Sequence, residues 1–157
     1  MAPNTGVKGK WDDWVIGDEQ GKECTIGGNS GTCLVYFLNS RDAESFANSQ
    51  TRLNAEQRNA VLHAYWFALN RYDTLTLGYA INEGNLRTFG RDHEGDWRDS
   101  YLDAAKDVAN NEIGINIGRK VFEAGLSRDS LGAIVLSNLG QLNCISGDIA
   151  YGTPTRC

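Results

Sequence analysis

The chain has 157 residues, of which 41% are hydrophobic and 22% charged, a composition that allows one folded domain with its own core and excludes a wholly disordered protein. No apolar run approaches the roughly 18 residues of a membrane-spanning helix, and the N-terminal MAPNTGVKGKWDDW lacks the apolar centre of a signal peptide. The formal net charge of -5 and the lack of a basic stripe make nucleic acid an unexpected partner.

The first part of the chain predicts little helix. Residues 1–21 are a polar segment. Residues 22–38, KECTIGGNSGTCLVYFL, place β-branched and aromatic residues around a glycine-rich loop, which predicts a small β-hairpin. Ser40 and Glu44 then resemble a capping box that is one residue too long, which predicts a short helix.

Apolar residues at helical spacing predict a helical core over residues 54–140. Asn54 is expected to cap the first helix and Thr74 the second, followed by a polar connection at residues 90–99. The apolar stripe of the first helix contains Val61, Leu62, Tyr65, Trp66 and Leu69.

A long helix is predicted next, from about Ser100 to Ala124, ending at Gly125. Ser127 is expected to cap a last helix that ends at Gly140. The sequence therefore predicts a mainly α fold: a compact single-domain helical bundle over residues 1–157 with a small N-terminal β-hairpin.

Four cysteines are present and none forms a CxxC pair, which argues against a four-thiolate zinc site. Cys24 and Cys33 flank a glycine-rich loop, and Cys144 and Cys157 flank much of the tail at residues 141–157. Two local disulfides are the simplest of the three possible pairings and imply an oxidising destination. Four reduced cysteines in a cytosolic protein are the alternative.

The long helix carries a polar side with small residues. Its members recur at three- and four-residue spacing: Asp103, Asp107, Asn110, Asn111, Gly114 and Gly118. A glycine inside a helix costs about 1 kcal/mol relative to alanine, so such glycines often mark the close approach of another helix or of a ligand. If this side is enclosed, its carboxylates need a partner, for which a metal ion is the usual choice. An exposed polar face is the alternative.

The acidic run before that helix partly follows the spacing of a calcium loop. Asp92, Glu94 and Asp96 stand at its first, third and fifth places and Asp103 at the twelfth, but Trp97 replaces the glycine of the sixth. This pattern favours oxygen ligation of a hard cation over a true EF-hand, whereas a mixed His/Asp/Glu set would suit zinc or manganese.

The chain has only two histidines. His63 lies among aromatic residues, a setting typical of a core histidine, and His93 lies inside the acidic run. Histidine titrates near neutral pH, so either residue could act as a general acid or base.

Three segments resemble the motifs of a known family: LHAYWFAL at 62–69, DHE at 92–94 and DVANNEIGINIG at 107–118. They resemble H-A-x-W-x-A-L, an acidic residue close to H-E, and D-x-x-N-N-x-x-G in bacterial domains at the C-termini of secreted or toxin-like proteins. Asp92 directly precedes His93 where the family has one intervening residue, and Val108-Ala109 replace a common Leu-His. The missing third histidine favours oxygen ligands. The matching positions are His63, Trp66, His93, Glu94, Asp107, Asn110, Asn111 and Gly114.

These observations predict a metal-dependent hydrolase of a phosphate ester, on a lipid or lipid-linked envelope substrate, acting as a secreted or periplasmic antibacterial effector. The expected cofactor is a divalent cation, calcium in preference to zinc or magnesium, and an immunity protein is a further expected partner. The alternatives are a non-catalytic secreted binding module with a structural cation and a metal-dependent nuclease toxin. The catalytic candidates are His63, His93 and Glu94, the metal candidates are Asp92, Glu94, Asp103, Asp107 and Asn111, and the pocket candidates are Trp66, Asn110 and Gly114.

Overall fold

The computed structural model describes residues 30–79, 82–93, 101–146 and 153–157. These residues form five α-helices: α1 (Ser30–Asn48), α2 (Ala55–Thr76), α3 (Glu83–His93), α4 (Tyr101–Glu123) and α5 (Leu131–Ser137). Single 3-10 turns stand at Arg128–Ser130 and Leu139–Gln141, and two antiparallel strands, β1 (Asn143–Ser146) and β2 (Thr153–Arg156), pair with Cys144 opposite Thr155. The prediction of a mainly α domain is confirmed. Over the same residues, no helix is long and apolar enough to cross a lipid bilayer.

The predicted hairpin at residues 22–38 is wrong from residue 30 onward, where α1 begins. Tyr36, Ala43 and Ala47 are buried at spacings of seven and four residues, so α1 presents one helical face to the core. This packing overrides the local β preference of the run CLVYF. Ser40 does not start a helix but lies inside one, where its hydroxyl donates to the Phe37 carbonyl at 2.6 Å. Residues 22–29 lie outside the described part of the chain.

Helix α2 begins as predicted. The side-chain oxygen of Asn54 accepts from the Gln57 backbone N–H at 2.8 Å, and the Gln57 side-chain oxygen accepts from the Asn54 N–H at 3.0 Å, which completes a capping box. The predicted helix start at Thr74 is wrong. Thr74 is buried inside α2, and the chain turns only at Gly78, whose φ of 67° lies in the left-handed region that glycine tolerates.

Helices α2 and α4 pack with their backbones in contact. A Cβ atom built on Gly114 would overlap the carbonyl oxygen of Ala64, and one built on Gly118 would overlap that of Ala68. The close approach expected from the two glycines is confirmed, and the partner is a helix. Around this contact the largest fully buried side chains include Trp66, Phe67, Leu69, Leu86, Ile115 and Leu131.

The C-terminal part matches most of the predictions. Helix α4 ends at Glu123, before Gly125 with a φ of 70°, and the Ser127 hydroxyl accepts from the Asp129 N–H at 3.1 Å. Helix α5 ends at Ser137 rather than at Gly140, because a 3-10 turn takes over at Leu139–Gln141.

One predicted disulfide is confirmed. Cys144 and Cys157 are bonded, with their Cα atoms 5.1 Å apart. Cys33 is disulfide-bonded as well, and its expected partner, Cys24, lies outside the described residues.

Candidate functional site

A group of polar side chains lies between α2 and α4. We call it the His63 cluster, and it consists of Glu56, Asn59 and His63 from α2 with Lys106, Asp107 and Asn111 from α4. The α2 members recur at spacings of three and four residues, so one side of that helix carries all of them. Apart from Glu56, whose side chain is 33% exposed, the members are buried.

The imidazole of His63 is held by two side chains of α4. Its Nδ1 lies 3.1 Å from Asn111 Oδ1, and its Nε2 lies 3.4 Å from Asp107 Oδ2. Both His63 and Asp107 have side chains that are 0% exposed. Both ring nitrogens therefore face side-chain oxygens of α4.

Lys106 places a second cationic group in the cluster. Its Nζ donates to Asn59 Oδ1 at 2.8 Å and lies 3.4 Å from both Glu56 Oε1 and Asp107 Oδ1. The carboxylate of Asp107 therefore stands between an imidazole and an ammonium group. A buried carboxylate is tolerated only with such compensation, because removing its water without a partner costs several kcal/mol.

Aromatic residues and a glycine close the cluster on the side of α3. The Trp66 ring centroid lies 6.4 Å from that of His63, and the Trp66 indole N–H donates to the Tyr36 carbonyl at 2.9 Å. At Gly90, an added Cβ would lie 2.9 Å from Asn111 Nδ2 and 3.1 Å from the Phe67 ring. Because Gly90 has no side chain, there is room beside it for the Asn111 amide.

Helix α3 runs antiparallel to α4 along the cluster. Glu83 bonds Arg119 at 2.6 Å, Arg87 bonds Glu112 at 2.6 Å, and Gly90 lies against Asn111. These pairs run in opposite directions along the two helices, so α3 ends toward the N-terminal half of α4, the half that contains Asp107. The side chains of Asp92, His93 and Asp103, and the whole of Glu94, lie outside the part of the chain that the structure describes.

The predicted residues therefore divide into three groups. His63, Asp107, Asn111 and Trp66 come together. Asn110 instead holds the backbone of Asn143, accepting from its N–H at 2.8 Å and donating to its carbonyl at 2.9 Å, and Gly114 packs against Ala64. The third group consists of Asp92, His93, Glu94 and Asp103, whose side chains lie outside the described part of the structure.

Lys106, Asn59 and Glu56 were not predicted as site residues. The sequence carries a signal for Glu56 and Asn59. They belong to a row of polar residues at helical spacing along the otherwise apolar α2, which continues with His63, Asn70 and Thr74. A polar stripe on a helix that also carries a strong apolar stripe indicates either an exposed face or an internal network. For Lys106 the signal was only its position beside Asp107.

The described residues contain no group of three or more His, Cys, Asp or Glu residues that could hold a metal ion. In addition, the Lys106 ammonium stands 3.4 Å from Asp107, so a protein cation already neutralises that carboxylate. A site for a divalent cation would depend on Asp92, Glu94 and Asp103.

Comparison with known proteins identifies the family. A family model matches residues 32–140. The chain belongs to the DUF6973 family, which is described as a domain of unknown function. The DUF6973 segment runs from the first turn of α1 to the turn after α5 and contains the entire His63 cluster, while the two strands lie beyond it. Searches of the curated proteins and of the solved structures found no match.

Proposed function

We propose that the protein is a hydrolase of phosphate esters, acting on a lipid or lipid-linked envelope substrate as a secreted antibacterial effector. Its site lies at the His63 cluster and at the end of α3 beside it. The observation that carries the proposal is the contact of His63 with Asp107, two fully buried titratable groups from different helices. Buried titratable groups with a specific charged partner are candidates for functional sites.

The energetics of burial support this proposal. A buried ion pair is often no more stabilising than apolar side chains of the same volume. A bundle of this size would be built more simply with apolar residues at positions 63, 106 and 107. The retention of an imidazole, an ammonium and a carboxylate between its two most closely packed helices is therefore better explained by chemistry than by stability.

We assign different roles to the two histidines. Both ring nitrogens of His63 are engaged by α4, so His63 and Asp107 position neighbouring groups rather than exchange protons with the substrate. His93 or Glu94 is then the proposed general acid or base, because α3 ends at residue 93, toward the half of α4 that contains Asp107. A divalent cation held by Asp92, Glu94 and Asp103, calcium before zinc or magnesium, would polarise the phosphoryl oxygen and lower the pKa of a bound water.

The test is hydrolysis by the purified chain of bis(p-nitrophenyl) phosphate and of phospholipid vesicles. EDTA-treated protein receives calcium, magnesium, manganese or zinc one at a time. His93→Ala and Glu94→Gln should each lower kcat by about 100-fold or more, with an unchanged Tm. Glu123→Gln, at a side chain that is 65% exposed, is the matched control and should keep full activity. Hydrolysis of neither substrate with any cation, or full activity in both variants, would refute the proposal.

A second candidate is a non-catalytic secreted binding module. It is favoured by the complete burial of His63, which leaves neither ring nitrogen open to a substrate in this conformation. In that case Asp107→Ala lowers the free energy of unfolding and no turnover is found with either substrate. Nicking of plasmid DNA with added divalent cations would instead identify a nuclease.

A further inference from the structure

The C-terminal ribbon, formed by β1 and β2, is too small to be stable by itself. Each strand has four residues, and an isolated two-stranded ribbon is at best marginally stable in water. The Cys144–Cys157 disulfide closes it, and the Cys157 N–H donates to the Leu142 carbonyl at 2.9 Å. The position of the ribbon therefore depends on this disulfide and on its contacts with the helices.

Those contacts are made by side chains of α2 and α4 to the backbone of the ribbon. Asn110 bonds both the N–H and the carbonyl of Asn143, at 2.8 and 2.9 Å. Glu56 Oε1 accepts from the Ile145 N–H at 2.9 Å, and the Gln57 side-chain amide donates to the Cys157 carbonyl at 3.3 Å. The ribbon thus binds residues that belong to the His63 cluster or adjoin it.

One atom belongs to both systems. Glu56 Oε1, which accepts from Ile145, also lies 3.4 Å from the Lys106 Nζ, and that Nζ lies 3.4 Å from Asp107. Asn110 similarly precedes Asn111, the partner of His63. If the ribbon leaves, Glu56 loses the bond to Ile145 that fixes its carboxylate, and the Lys106 ammonium loses a partner held in a fixed position.

We propose that the Cys144–Cys157 disulfide is a redox switch for the His63 cluster. A dithiol reductant attacks one sulfur through its thiolate, and its second thiol resolves the mixed disulfide. Cys144 and Cys157 become thiols and the reductant becomes a disulfide. The ribbon is then released, and Lys106 and Asp107 lose their fixed arrangement. The claim that the switch controls activity rests on the proposed function. The expected change in the reactivity of Lys106 does not.

The test follows the reactivity of Lys106 toward acetic anhydride by peptide mass spectrometry, with the exposed Lys120 as internal reference. The full chain is compared with Cys144→Ser/Cys157→Ser and with Cys24→Ser/Cys33→Ser, a matched removal of the other two cysteines. Acetylation of Lys106 relative to Lys120 should rise about tenfold in the first variant, through local opening, and stay unchanged in the second. Protection of Lys106 in the first variant, or an equal rise in both, would overturn the proposal.

A second measurement covers the case in which Cys144→Ser/Cys157→Ser does not fold. The Cys24→Ser/Cys33→Ser chain, in which the ribbon disulfide is the one that remains, is reduced with dithiothreitol and then reoxidised. Lys106 should become reactive and then protected again, while the helical circular dichroism stays constant. Loss of the helical circular dichroism on reduction would show that the whole domain unfolds, and this would overturn the proposed switch. A chain that hydrolyses nothing yet shows this reversible labelling refutes the proposed function alone.

Discussion

Gly114 of α4 lies against the carbonyl oxygen of Ala64 in α2, so closely that a side chain at position 114 would overlap that oxygen. Ala64 directly follows His63, and Gly114 is one turn beyond Asn111. The contact between the two backbones therefore sets the distance at which His63 meets Asn111 and Asp107.

Gly114→Ala should destabilise the protein by about 3 kcal/mol, because the added methyl meets a backbone carbonyl that cannot rotate away. This loss outweighs the gain of about 1 kcal/mol in helix propensity. The measurement is the free energy of unfolding in urea. Gly140→Ala is the control, since nothing lies within 4 Å of a Cβ at that position, and it should change stability little. Equal stability of the two variants would contradict the backbone contact.

Asp107→Asn should lower the free energy of unfolding by about 3 kcal/mol, because it removes the fully buried carboxylate that faces both the Lys106 ammonium and the His63 imidazole. Lys106→Met/Asp107→Asn should be more stable than Asp107→Asn, since the buried ammonium that faced this carboxylate is gone as well. Asp129→Asn, at an exposed position, should stay within about 0.5 kcal/mol of the native chain. A double variant that is less stable than Asp107→Asn would mean that the charge pair is not the source of the effect.

With Tyr36→Phe, the free energy of unfolding should fall less steeply as the pH rises into the alkaline range. Burial raises the pKa of Tyr36 well above its usual 10.0, and the nearby charge of Arg71 opposes this only in part. Because the folded state holds the phenol proton more tightly than the unfolded state, this contribution is present below about pH 10 and is lost as pH rises beyond it. Chemical denaturation between pH 8 and about 11 measures the slope. Identical slopes in the native chain and the variant would refute this assignment.

Glu83→Gln should reduce the sensitivity of stability to acid. Burial alone would raise the pKa of Glu83, but the hydrogen bond and charge of Arg119, with the charges of Arg71 and Arg87, hold it below the usual 4.5. The stability that this carboxylate contributes is therefore present above about pH 4.5 and is lost as pH falls through its lower folded pKa. Acid titration of Tm compares the variant with Glu123→Gln, which should retain the native acid slope.

The sequence predicts most of the helices because their ends carry local signals. The capping box at Asn54, the left-handed Gly125 and the hydroxyl of Ser127 each act within a few residues, and each is found where expected. The prediction of a hairpin at residues 22–38 is wrong from residue 30 onward. The β-branched and aromatic residues there lie in α1, where contacts with α2 determine the conformation.

The candidate site is predictable only in part. His63, Asp107 and Asn111 were identified from their residue types and from motif blocks, but their contact spans 48 residues, and nothing local in the sequence encodes it. Lys106 was not identified, because a lysine in an acidic helix is most simply read as a solvated charge. Its environment depends on Asn59 and Glu56, which come from another helix and are brought to Lys106 only by the tertiary structure.

The backbone contact between α2 and α4 has a kinetic consequence. A side chain that blocks a site can rotate aside in nanoseconds, whereas two helices joined through glycine and carbonyl groups separate only by moving as rigid bodies, on a scale of microseconds to milliseconds. For the proposed hydrolase, any rearrangement of the positioning residues His63 and Asp107 therefore waits for a whole element to move. Where such a rearrangement limits turnover, kcat would follow its rate, and variants that loosen the helix pair would be faster as well as less stable.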